Sequence, residues 1–489
     1  MASVTQMLKI MRNNIRNTYW VFLNILLIVY HFYIFLYVFV EKVIVADDLK
    51  EVYNSKEIST SYLNYIYSYL DSSTMAARPV SGFITGTLVF LSKYHESVYL
   101  LGLLFFPLSL VILYFVIKKI LSKELASLIT LLYSCSLIGT SIQFSPIMLN
   151  SNVATIFFSL SIYCLYVHKK LLISSLFFIA SVLSYEIFLP LILLNLLLIK
   201  ENKKRILFLL FTLGTFVIFR KVIQPGIFVH SYQRDEVGKI FEFKRIIQIA
   251  VYSLKLFFKD IFVGIYKGLA NLKHLHIAEI ILSLTISALV YKVFSEYNLK
   301  NRLNDLKKLA LISLISILLG LSVFLFSSYI PTLFGFDNRN LGAVRLFYTL
   351  FIVCGITFLS DRLRLGNKTT GFVFAVIVFL FVTTNISVKN SWVYASRFNN
   401  ILFRQLNMAL KENHIENGVV CLKYDMFREL KTNPRFILRE PIFYNNWECR
   451  MLSKMNGIDP KKLRVYNADR KTNCEVIFYY KDQKMIRTK

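Results

Sequence analysis

The 489-residue sequence contains no Gly-rich phosphate loop and no Rossmann-like start, so no nucleotide site is visible in it. It has six cysteines but no CxxC pair and no metal spacing, and its lone histidines (His95, His168, His230) and the pair His274 and His276 suggest no metal site. Three cysteines lie in or beside apolar runs. The other three (Cys421, Cys449, Cys474) lie in a polar tail, where an odd number allows at most one disulfide. Acidic residues are scarce: 29 Asp and Glu face 57 Lys and Arg, for a net charge of +28. Such a balance first suggests nucleic acid. Much of the positive charge, however, sits in short connections between apolar runs, where it sets membrane topology. No nucleic-acid partner is therefore expected.

Apolar residues are abundant. Hydrophobic residues make up 56% of the chain, with 43 Phe and 29 Tyr, and mean hydropathy is +0.54. Soluble helices keep a polar face, and the uninterrupted runs here do not. Spans are expected over 19–40, 97–117, 124–142, 152–168, 171–185, 187–199, 206–220, 277–294, 309–330, 344–360 and 371–388. The first run is longer than a signal-peptide core and has no small-residue cleavage motif after it. Residues 171–199 read either as one tilted helix or as two broken at Tyr185-Glu186. Several runs fall short of the roughly 20 residues of a straight span, so broken or tilted helices are expected. Residues 246–270 carry Lys255, Lys259, Asp260 and Lys267 and read as an interfacial amphipathic helix, with a span as the alternative.

The charges orient these spans. Lys9, Arg12 and Arg16 precede the first, and Lys118, Lys119 and Lys123 follow the second. Further basic clusters fall at Lys169-Lys170, Lys200 to Arg205, Lys292 to Lys308 (with Lys300 and Arg302), and Arg362 to Lys368. The connection 143–151 has none, and 331–343 has only Arg339. This alternation obeys the positive-inside bias, with the N-terminus cytoplasmic and the tail outside. The expected fold class is an all-α polytopic membrane protein of about eleven transmembrane helices with a small α+β extracytoplasmic C-terminal domain. The membrane domain takes residues 1–390, with a large first outer loop at 41–97, and the soluble domain takes 391–489. In the tail, GVVCLKY, KLRVYN and CEVIFYY are strand-like and RFNNILFRQLNMALKEN is helix-like. In the first loop, SYLNYIYSYL sets Leu63, Ile66, Tyr67 and Leu70 on one side of a helix that can lie along the bilayer surface.

Polar features converge on the outward face. Asp47 and Asp48 head the loop and Arg78 sits further along it; Tyr185-Glu186 end an outward-running span, and Arg339 and Arg345 bracket the start of another. Ionisable groups at such depth are costly unless paired or facing a wet cavity. Arginines suit a lipid phosphate, and a carboxylate can take a proton from an incoming hydroxyl. Each residue also has a plainer reading. The acids can be a solvated helix end, Arg78 a headgroup anchor, Glu186 a counter-charge or break marker, and Arg345 a snorkelling side chain. Their convergence on one side favours function.

The order of motifs resembles a known family. One span is followed by ADD, a long loop ending near ARPVSGFITGTLVFL, then FSPIMLNSNVATIFFSLSIYCLYVHKK, then SYEIFLPLILLNLLL. This resembles the polytopic glycosyltransferases of the GT-C fold, especially relatives of protein O-mannosyltransferases and lipid A aminoarabinose transferase. The resemblance covers residues 19 to about 200, and the later spans only in general layout. It implies an acidic centre at Asp47 with Asp48 beside it, a loop motif at Arg78-Pro79, and a later segment at Ser184, Tyr185, Glu186 and Pro190. Tyr185 departs from the Lys that relatives often carry there. The family implies a polyprenyl-phosphate-linked sugar donor, inverting transfer and action outside the cytoplasmic leaflet. The acceptor would be a glycan, lipid or protein.

The expected catalytic residues are thus Asp47 and Asp48, with Asp47 as base and the swapped assignment as the alternative. Arg78, Arg339 and Arg345 are the expected donor-phosphate ligands, with Glu186 and Tyr185 in support. No cofactor is expected, and the alternative is a divalent ion at the Asp pair, for which two adjacent acids are few ligands. The Lys-, Ile-, Asn- and Phe-rich composition suits a bacterium, which places the chain in an inner membrane with undecaprenyl phosphate as lipid. Rival readings are a glycolipid flippase, an O-antigen-type polymerase or ligase, and a non-catalytic scaffold. A flippase would predict two related halves, and none is visible.

Overall fold

The computed structural model describes residues 2–71, 74–229, 242–297, 303–470, 473–481 and 484–488. His230, Lys300 and Arg302 lie outside the described residues. Among those described, eight helices are long and apolar enough to cross a membrane: Asn17–Val40, Glu96–Ile120, Pro146–Tyr166, Asn202–Ile227, Ile277–Ser295, Asn304–Phe326, Phe336–Arg362 and Asn367–Glu412. The shortest has 19 residues, about 28 Å of helix against a hydrocarbon layer of about 30 Å. The chain is a polytopic, largely helical membrane protein with a small β-containing domain at its C-terminus.

The remaining three expected spans are shorter helices. Lys123–Cys135 has 13 residues, buried from Glu124 onward, and ends before a turn in which Gly139 takes φ +71°. Leu171–Ser184 and Glu186–Leu198 are separate helices, split where Tyr185 is extended. Pro190 in the second keeps its first turns in the tighter 3-10 form. Phe243–Lys255 runs through a π-turn at Leu256–Asp260 into Ile261–Ala270 and is not among the eight.

The first helix, α1 (Ala2–Val40), leads into a loop of three helices: α2 (Asp47–Ser55), α3 (Tyr62–Asp71) and α4 (Pro79–Ser92). The periodicity of α3 predicted a face of Leu63, Ile66, Tyr67 and Leu70. The buried face is instead Ile66, Tyr69 and Leu70, while Leu63 and Tyr67 are exposed. The reason is α4. Its Gly82 and Gly86 leave room for Leu70, Ile66 and Tyr69 to press onto its backbone, where a Cβ would meet them at 2.7 to 3.0 Å. That close approach rotates α3 towards α4 and fixes which residues are covered.

Asn367–Glu412 is one helix of 46 residues, about 69 Å long. It passes straight through the expected boundary at 390, so membrane and soluble parts share a rigid rod. Beyond that point Phe398 packs against Tyr424, Phe436 and Tyr480, and Phe403 against Phe443. The three expected strand segments form β1 (Gly418–Lys423), β2 (Leu463–Asn467) and β3 (Val476–Lys481), and β4 (Lys484–Arg487) follows them. The sheet order is β2-β1-β3-β4. β1 is parallel to both its neighbours, and β3 and β4 form an antiparallel hairpin. Cys421 on β1 is bonded to Cys474 just before β3, leaving Cys449 as a buried free thiol. A disulfide in so small a domain fits an oxidising compartment.

Candidate active site

The backbone that delivers the acidic pair is bent sharply. Lys42 and Ala46 take φ +48° and +50°, and between them Val43 to Val45 are fully covered. Ala46 caps α2 without a side-chain bond, so the first turn of the helix opens directly on Asp47 and Asp48. Neighbouring residues in a helix point about 100° apart, and the two carboxylates meet different surroundings.

Asp48 is buried. Tyr99 Oη donates to its Oδ1 at 2.8 Å, Ser145 Oγ to its Oδ2 at 2.6 Å, and the Ile147 amide to its Oδ1 at 2.9 Å. Burial pushes its pKa up to about 7, although the three donors favour the ionised form. Ser145 and Ile147 belong to the FSPIML stretch, so that segment serves here as the socket for Asp48. Nothing in the spacing identified Tyr99 as the third member.

Asp47 is the half-open one. Its carboxylate, 40% exposed, pairs with Arg339 Nη1, and the Arg339 side chain is 20% exposed. Arg339 lies over the Phe336 ring at 4.3 Å. One residue on, Asn340 Oδ1 accepts a 2.9 Å bond from Tyr185 Oη. The Tyr185 ring in turn lies beneath the Arg78 guanidinium, 4.5 Å from its centre. Arg78 grips Glu186 with two bonds, Nε to Oε2 at 2.7 Å and Nη2 to Oε1 at 2.6 Å. Ser81 Oγ fastens the start of α4 to the Ser184 carbonyl at 2.7 Å. Asp47, Arg339, Tyr185, Arg78 and Glu186 therefore form one chain of contacts that ties the loop to the ends of two apolar helices.

Arg78 and Arg345 differ from their expected surroundings. The fork of Arg78 that would suit a phosphate is filled by Glu186. Arg345 is fully buried and lies away from the chain of contacts. Its Nε, Nη1 and Nη2 donate to the carbonyls of Tyr133, Gly139 and Ser134 at 2.7, 2.7 and 2.9 Å. It staples the end of Lys123–Cys135 and the turn after it, so it is corrected from a phosphate ligand to a structural residue.

Three neighbours of the site were not singled out by the sequence. Asp337 and Tyr329 are close enough to Arg339 to act on its charge. Glu448 comes from the C-terminal domain, whose segment Asn446–Met455 packs on α2. It accepts the amides of Tyr444 and Asn445 at 2.8 and 2.7 Å, lies within electrostatic reach of Asp47, and is raised to about 7 by burial. Polar sequence around Trp447 gave no hint that the tail returns to the first loop.

The arrangement offers two accessible carboxylates, Asp47 and Glu186, each held by an arginine, and Asp47 alone is backed by a buried, locked neighbour in Asp48. Neither a family model nor a curated protein matches the chain.

Proposed function

We propose that the chain is an integral-membrane inverting glycosyltransferase of GT-C-like architecture, with about eleven membrane-crossing segments. It would move a sugar from a polyprenyl-phosphate-linked donor to a glycan, lipid or protein acceptor on the outer side of a bacterial inner membrane. In this reading residues 1–390 form the membrane part, the N-terminus is cytoplasmic, and residues 391–489 form an extracytoplasmic domain. The observation that carries the proposal is the division of labour in the acidic pair: Asp47 half-open on Arg339, Asp48 buried on three donors.

The acceptor hydroxyl gives its proton to the Asp47 carboxylate as its oxygen bonds to the anomeric carbon. The bond from that carbon to the phosphate oxygen breaks on the opposite face, and its electron pair leaves with the lipid phosphate. Arg339 meets that charge. One of its N–H groups holds Asp47, and a guanidinium has others to offer a phosphate oxygen. Arg78, already engaged by Glu186, contributes charge more than hydrogen bonds. Asp48 fixes the turn that presents Asp47.

The test is transfer by the purified protein in detergent, with radiolabelled polyprenyl-phosphate hexoses and pentoses as donors and membrane extracts as acceptor. Release of polyprenyl phosphate with an inverted product supports the proposal. Translocation of a labelled glycolipid in proteoliposomes, without any transfer, would replace it with the flippase reading.

A further inference from the structure

A second polar cavity lies apart from the acidic pair and shares no lining residue with the chain from Asp47 to Glu186. It has a volume of about 700 Å³ and lies between α1, the helix Ile277–Ser295 and the long helix Asn367–Glu412. Its chemistry changes along its length. At the end nearest the middle of α1 stand the apolar Val29, half exposed, and Leu282. One turn further along α1, Tyr33 meets a buried ion pair. Lys389 Nζ donates to Glu279 Oε1 and to Tyr33 Oη, both at 2.7 Å, and Tyr33 Oη donates to the same carboxylate oxygen at 2.6 Å. Lys389 also lies over the Tyr37 ring at 3.8 Å.

At the open end the lining turns cationic. Arg397 reaches Glu41 at 2.8 Å, and Arg435 rests on the Tyr394 ring at 4.8 Å with no acidic partner among the described residues. Asn271, 7% exposed, lines the same cavity, and its Oδ1 has no hydrogen-bond partner. A buried amide oxygen without a donor costs about 1 to 3 kcal/mol unless something bonds to it. The cavity therefore offers an apolar end, a charge-neutral polar middle, an unmet acceptor and an unpaired arginine at the rim.

We propose that this groove binds an anionic lipid. Its phosphate would sit at Arg435, a headgroup hydroxyl would donate to Asn271, and an acyl or prenyl chain would lie along Val29 and Leu282. The gradient from apolar to cationic follows the direction in which α1 leaves the membrane, which is the direction in which a lipid presents its headgroup. Charge complementarity selects an anionic lipid over a zwitterionic one, because Lys389 and Arg397 already have acidic partners while Arg435 does not. The proposal does not rest on sugar transfer.

Binding to the full chain in neutral detergent is measured by thermophoresis with dioctanoyl phosphatidic acid, dioctanoyl phosphatidylcholine and inorganic phosphate as probes. Phosphatidic acid is expected to bind about tenfold or more tightly than either of the others, because choline offsets the phosphate charge at Arg435 in the one and the other lacks the apolar chain. Arg435→Glu should abolish that preference. Val29→Trp, at a half-exposed position, should weaken the lipid and leave phosphate unchanged. Equal affinity for the two lipids, or an Arg435→Glu protein that keeps the preference, overturns the proposal. Inorganic phosphate binding as tightly as phosphatidic acid also overturns it, in favour of a free-anion site. Should Arg435→Glu fail to fold, judged by its melting curve, Arg435→Gln carries the same comparison.

Discussion

Arg339 and Arg345 are six residues apart at the start of one apolar helix, and they live in opposite environments. Arg339 is partly exposed and its partner is an acid that itself reaches solvent. Arg345 is fully covered, and three backbone carbonyls take its N–H groups. A guanidinium fully covered on carbonyls stabilises a turn and is out of a ligand's reach. A guanidinium on a half-open carboxylate keeps both groups charged where a substrate can meet them. The difference separates an arginine that builds the scaffold from one that can act on it.

Breaking the scaffold arginine should have the largest effect. Arg345→Met removes all three donors: the Ser134 carbonyl is left buried without a partner, at about 1 to 3 kcal/mol, and the Tyr133 and Gly139 carbonyls keep only the amides of Ser136 and Ile142. The expected outcome is little folded protein after purification, read by size-exclusion chromatography and melting temperature. Arg345→Lys should rescue only in part, since an ammonium cannot reproduce the planar fork. A normally melting Arg345→Met protein would show that the turn holds itself.

The next effect is on turnover alone. Asp47→Asn keeps size and hydrogen bonding but cannot accept the acceptor's proton, so transfer should fall by about 10²-fold or more. Folding should be unchanged, because the carboxylate is half-exposed. Arg339→Ala should lower transfer by about 10- to 10²-fold with a stability change within about 1 kcal/mol, the range of exposed pairs. If Arg339→Ala instead unfolded the protein while turnover per folded molecule held, the two arginines would be alike, and the contrast between them would fail.

These roles were only half legible in the sequence. Apolar runs and basic connections showed a polytopic helical protein, and strand-like patches marked β1, β2 and β3, because both signals are local. The break at Tyr185 was visible for the same reason. The paths of Arg345 and Glu186 were not, because burial and pairing depend on which helix lies opposite. That Ile66, Tyr69 and Leu70 of α3 would pack on α4 was not visible, because the room left by Gly82 and Gly86 depends on which helix lies opposite. The acidic pair was legible as a pair, but its division was not: Tyr99 lies 51 residues from Asp48 and Ser145 lies 97. Lys389 and Glu279, 110 residues apart, were invisible as partners for the same reason.

The smallest predicted effect sharpens the division within the acidic pair. A free aspartate titrates near about 4, whereas burial raises Asp48 to about 7. Between those values the folded protein holds a proton that the unfolded chain has lost. The share of stability that Asp48 contributes is therefore greatest below about pH 4, falls as pH rises towards 7, and is flat beyond. Glu448 and Glu440, also raised to about 7 by burial, add slopes of the same sign. Asp48→Asn should remove one share of this slope. The amide oxygen can still accept from Tyr99 and Ile147, and the amide nitrogen can donate to Ser145 once that hydroxyl turns. Melting temperatures at pH 5 and pH 8 in the same detergent should thus lie closer together in Asp48→Asn than in the wild type, with transfer reduced less than in Asp47→Asn. Parallel pH profiles would mean that Asp48 titrates no differently when folded. A loss of transfer exceeding that of Asp47→Asn would reverse the two roles and make the buried carboxylate the base.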